Sequence, residues 1–145
     1  MAHPDFDELL DFLVTSAQNL LAKNGEFYPI AAAMDLQGTI AAVGVHDGEE
    51  HPTSQQVIDA LTMVLRSQVE HGAIRAAGIC YDVLVTPPGD TAKSDAICTM
   101  LEHQNGDSGK AYVPYKKGWF GKIRDGEVFA TRHVGRIFPN HDGAR

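Results

Sequence analysis

Four residues in the middle of the chain carry side chains suited to proton transfer or to holding a polar ligand: Asp82, Cys98, Glu102 and Tyr115. Each lies in a run that is otherwise apolar. An acid placed there has its charged form disfavoured and its pKa raised, and a neighbouring thiol and phenol can then hold or pass a proton. If the first connecting turn centres near Asp90, Asp82 lies opposite Cys98. If the next centres between Gly106 and Asp107, Cys98 lies opposite Tyr115. The three then share one sheet face, with Glu102 four residues along on the same side. The expectation depends on register, because a slip of one residue sends a strand's side chains to the other face. The competing structural expectation is an acid that bonds a backbone amide or sits at a sheet edge.

Two other groups could do chemistry. His46, Asp47, Glu49, Glu50 and His51 place imidazoles and carboxylates close together, as a divalent ion would need. They match no established ligand spacing, so the expectation is a solvated acidic loop, with no metal and no cofactor. Lys116, Lys117, Trp119, Phe120, Lys122 and Arg124 interleave cations with aromatics, and Arg132, His133 and Arg136 extend the positive character. Such a segment can stack on bases and touch phosphates, or bind an anionic ligand or a membrane surface. It can equally be a loop pinned to the core by its aromatic residues with the lysines in water. His103, beside Glu102, is expected to be structural. Neither a phosphate-cradling glycine loop, nor a Cys-x-x-Cys pair, nor a nucleophile elbow occurs. Binding without catalysis is therefore the leading expectation.

Charge narrows the partners. Residues 1–108 carry a formal −12 and residues 109–145 a formal +5, giving −7 overall. The acidic body repels an extended polyanion, which makes nucleic acid an unfavoured partner. The basic third contains Tyr112, Val113, Tyr115, Trp119, Phe120, Ile123, Val128 and Phe129, and so has the content to build core. Intramolecular or subunit complementarity is the better account of the split.

The elements that position these residues follow from period. Phe6, Leu9, Leu10, Leu13, Ala17, Leu20 and Leu21 form one helical stripe, opened by Pro4 and closed by Lys23-Asn24-Gly25. Apolar runs at Tyr28–Met34 and Thr39–Val45 flank Asp35-Leu36-Gln37-Gly38, a hairpin signature. A second helix begins with capping-box spacing at Thr53 and Gln56 and ends at His71-Gly72. Strands then follow at Ile74–Thr86, Asp95–His103 and Lys110–Tyr115, with a weaker one at Glu127–Arg132. The order α-β-β-α-β-β-β is an α+β class with a mainly antiparallel sheet and two flanking helices. One domain is expected, with its core at about residues 5–137 and a tail at residues 138–145.

In topology, over about residues 5–115, this order resembles the roadblock and profilin-like domains. The resemblance rests on the element order and the Asp35–Gly38 hairpin. It implies a dimeric scaffolding or regulatory module, some members of which bind small ligands. Both sheet faces read as apolar. If both helices pack on one face, the other must meet a partner chain, and a homodimer is expected. A further protein partner is compatible with such a module. Apolar content of 43% and charged content of 21% fit a folded globular chain, and no apolar run reaches membrane-spanning length. Cys80 and Cys98, inside apolar runs, are expected as free buried thiols in a cytoplasmic protein.

Overall fold

The N-terminal apolar stripe becomes α1, Pro4–Asn24. Its first turn is capped by His3, whose Nδ1 accepts from the Asp5 amide at 3.1 Å. Gly25, at φ +77°, closes it by returning its N–H to Leu21 O. Phe6, Leu9, Leu13, Ala17 and Leu21 are buried along one side. Each of the larger side chains contributes roughly 1.5–3 kcal/mol by leaving water. The computed structural model describes residues 3–44, 52–117, 123–125, 128–133 and 135–139.

Strands β1 (Ile30–Asp35) and β2 (Ile40–Val43) form the expected hairpin. Asp35 Oδ1 accepts from the amides of Gln37 and Thr39, both at 2.9 Å, which holds the turn closed. Helix α2, Ser54–Glu70, opens with the full capping box between Thr53 and Gln56. Three long strands follow, β3 (Ile74–Val85), β4 (Ser94–His103) and β5 (Ser108–Lys117), and then two short ones, β6 (Ile123–Asp125) and β7 (Phe129–Thr131).

Every pairing is antiparallel, and the sheet runs β2-β1-β3-β4-β5-β6. β7 also lies on β5, against Lys110–Tyr112, while β6 pairs with Tyr115–Lys117. Helix α2 carries the chain from β2 across β1 to β3. This is the α+β architecture expected from the element order. Among the described residues no helix is long and apolar enough to cross a membrane.

The two helices lie on opposite faces. α1 packs on Ala76, Cys80, Ile97, Leu101, Val113 and Tyr115. α2 packs with Val57, Leu61 and Leu65 on Ala31, Ala33, Ala77, Ile79 and Met100. The sequence argument for a homodimer assumed both helices on one face, and that premise does not hold. α2 lies mainly over β3 and β1, with Met100 of β4 at its margin. The C-terminal segment covers part of the remainder, with Ile137 and Phe138 buried in the same cluster.

Gly78 sets how closely α1 approaches. A Cβ there would meet Leu13 Cδ1 at 2.8 Å, Leu101 Cδ2 at 2.9 Å and the backbone oxygen of Met100 at 3.0 Å. Gly78→Ala is therefore expected to lower stability by about 1–3 kcal/mol through overpacking. Denaturant unfolding of the variant checks this, and an unchanged midpoint would mean that α1 is not seated against this strand.

Candidate functional site

The register separates the four central polar residues. Tyr81, not Asp82, lies opposite Cys98, and Cys98 lies opposite Tyr112 rather than Tyr115. Asp82 and Tyr115 consequently face α1, while Cys98 and Glu102 face α2. On the α1 side, the buried Tyr115 hydroxyl donates to Asp82 Oδ1 at 2.8 Å, and Asp82 is exposed. Burial, with the carboxylate beside it, pushes the Tyr115 phenol up, so it stays protonated as a donor.

On the α2 side, Tyr81, Cys98 and Tyr112 form a row across three strands. Phe129 stacks on Tyr112 with ring centroids 4.8 Å apart. Burial pushes the Cys98 thiol up and takes the Cys80 thiol, on the α1 side, to about 12. Both are free and buried, as the sequence suggested. Neither supplies a thiolate near neutral pH, so this row has no activated nucleophile.

Glu102 occupies the centre of the C-terminal packing. Its Oε2 accepts from His133 Nε2 at 2.9 Å and from the Arg136 amide at 2.8 Å. Its Oε1 accepts from the amides of Ile137 at 2.8 Å and Phe138 at 3.1 Å. The Glu102 and His133 side chains are each only 3% exposed. Burial alone would raise the carboxyl, but the His133 bond and the three amides outweigh it and hold the pKa below the ordinary value. The raised carboxyl expected from sequence is thus reversed, because these donors stabilise the charged form. Gly135 permits the wrap, since a Cβ there would stand 3.1 Å from Glu102 Oε1.

This clasp builds one wall of a cleft of about 570 Å³. Ile58, Asp59, Thr62, Met63 and Arg66 of α2 form the facing wall. Ile79, Tyr81 and Met100 form the floor, Lys110 stands beside them, and Arg132, His133, Arg136 and Ile137 close the far side. Arg66 Nε donates to Arg136 O and ties the two walls together. Four cations, Arg66, Lys110, Arg132 and Arg136, thus meet around an apolar floor. Of the two acids there, Glu102 is held by His133 and three amides, and Asp59 stands on α2, so the four cations outnumber the acids. In a chain of net charge −7 this local excess is the reverse of the average.

A second polar cluster lies on the opposite face of the sheet, at the residue next to Glu102. Asp5 Oδ1 accepts from Arg75 at 3.0 Å, and Asp5 Oδ2 lies 2.8 Å from His103 Nε2. His103 Nδ1 accepts from the Asn105 amide, so its Nε2 carries the proton and donates to Asp5. Arg75 also donates to Leu36 O in the hairpin turn. His3, Asp5 and His103 lie close enough for a metal ion. However, both Nδ1 atoms already accept backbone amides, and the Arg75 guanidinium occupies the carboxylate. The cluster is a clamp joining α1, β3, β4 and the first hairpin. Burial raises Asp5, but the His103 and Arg75 bonds and the Arg75 charge leave its pKa lowered.

Lys116 is exposed on β5. The side chains of Lys117, Trp119, Lys122 and Arg124, and the acidic loop His46–His51, lie outside the described residues. Sequence reasoning noted Arg132, His133 and Arg136 but missed the α2 flank and the Tyr81–Met100 floor. A polar flank of Thr62 and Arg66 beside a buried helix stripe was the available signal. No protein-family model, curated protein or solved structure matches the chain.

The folded-state pKa of Glu102 lies below its ordinary value of 4.5. Its charge therefore adds stability that is fully present above that value and lost as pH falls through the lowered one. Glu102→Gln is expected to cost roughly 1–3 kcal/mol at neutral pH, since the His133 and amide donors lose a charged acceptor. Its deficit should shrink in acid, and amides 136–138 should lose hydrogen-exchange protection. A deficit that grows as pH falls would contradict the assignment.

Proposed function

We propose that this chain is a non-catalytic binding module that holds a small amphipathic anion in the cleft between α2 and the C-terminal segment. The carrying observation is the convergence of Arg66, Lys110, Arg132 and Arg136 around the Ile79–Tyr81–Met100 floor. An apolar body can lie on that floor, while a carboxylate, sulfonate or phosphate takes up the cations at the rim. The guanidinium groups of Arg132 and Arg136 are suited to bidentate contact with such a head group. The acidic remainder of the surface favours a small anion over a polyanion.

Anilinonaphthalene sulfonate, a flat apolar body with one anionic head, is a direct probe. Saturable binding of one probe per chain is expected, weakening with salt. Replacing both Arg132 and Arg136 with Gln should reduce affinity about tenfold or more, on the scale of lost charged hydrogen bonds. The uncharged phenylnaphthylamine should bind more weakly to the native protein and be insensitive to the double substitution. Fluorescence titration reads all three results. Binding unaffected by loss of the two arginines would remove the proposal's support.

A further inference from the structure

We infer that two copies of this chain join edge to edge through β2, in antiparallel register about a two-fold axis at Ala41. β2 is one end of the sheet, and among the described residues nothing pairs with its outer side. Natural edge strands are blunted by lysine, proline, a bulge or very short length, and of these β2 shows only the last, at four residues. The segment Thr39-Ile40-Ala41-Ala42-Val43-Gly44 carries no charge and no proline, and its pairing with β1 is regular throughout.

The pairing pattern fixes which backbone groups face outward. The Asp35 amide donates to Thr39 O, so Asp35 and Thr39 form a hydrogen-bonded pair. By alternation, Ala41 and Val43 also direct their N–H and C=O toward β1, whereas Ile40 and Ala42 direct theirs away. A second copy placed antiparallel about Ala41 matches each Ile40 with the other copy's Ala42. This satisfies both outward residues of both strands. Ala41 then meets its own counterpart in the close, non-hydrogen-bonded position, where Cα atoms approach to about 4.5 Å and two methyl groups meet without obstruction.

Side-chain burial points the same way. Ala41 and Ala42 are exposed, and Ile40 and Val43 are only partly buried, at the margins of the two cores. A copy related by this axis extends both cores past the edge, keeping each α1 on the same side of a continuous sheet. Self-pairing suits an uncharged strand, because identical charges would repel across the axis. This interface is independent of the cleft.

Three measurements test the pairing. Sedimentation of the native chain, taken up to ~1 mM where even weak association is populated, should approach twice the monomer mass. Ala41→Cys should oxidise to a covalent dimer, since its Cα spacing suits a disulfide and the chain's own two cysteines are buried. Leu36→Cys, exposed in the hairpin turn, should cross-link at least tenfold more slowly. Ala42→Pro removes an outward N–H without breaking the β1 ladder, and should weaken association at least tenfold. Should that variant fail to fold, the cysteine pair still decides. A native chain that stays monomeric, equal cross-linking at positions 41 and 36, or a dimer untouched by a folded Ala42→Pro would overturn the inference. So would protection of the β2 amides only when a foreign extended peptide is added.

Discussion

The Glu102 carboxylate is the contact on which the arrangement around the cleft depends. A charge taken out of water is costly unless donors replace its hydration. Here one imidazole and three backbone amides do so, and all four come from a short stretch of the C-terminal segment. Among its described residues the segment has no helix and little strand of its own to hold it. With the carboxylate in place, Ile137 and Phe138 seat on the α2 face, and Arg136 reaches the α2 arginine, Arg66. Without it, Met100 and Ile79 would lose their cover and the cleft would lose its far wall.

Asp5 serves the other face of the sheet in the same way. It gathers Arg75 and His103 and so joins the start of α1 to the central strands and the first hairpin. Glu102, one of the four central polar residues, and Asp5 are thereby occupied as fasteners. The cations that line the cleft, Arg66, Lys110, Arg132 and Arg136, stand where a ligand would meet them. Their positive field is set against an acidic body, and this contrast gives the uneven charge along the chain a local meaning.

Periodicity in the sequence was enough to place both helices, the first hairpin and the three long strands, because each is bounded by a cap or turn whose chemistry is local. Thr53 with Gln56, Gly25 and Asp35 all do in the structure what their types imply. Register was not legible to the same degree. The turn after β4 closes on His103, Asn105 and Gly106, with Gly106 at φ +98°, so the chain reverses earlier than a centre between Gly106 and Asp107 would place it. That shift, with a one-residue slip between β3 and β4, moved Cys98 and Glu102 to the face opposite Asp82 and Tyr115. The placement of one helix on each face was also hidden, because both sheet faces read as apolar. The cleft itself arises from side chains distant in sequence, on α2, the sheet and the C-terminal segment, and no local pattern announces it.

The most direct examination of the account is residue-resolved. Amide chemical shifts followed by NMR while anilinonaphthalene sulfonate is added should change at Thr62 to Arg66, Tyr81, Met100, Lys110 and Arg132 to Ile137. Those of Leu9 to Ala17 in α1, on the opposite face, should stay in place. Changes centred on the Asp82 face, or scattered with no cluster at the cleft, would contradict the account.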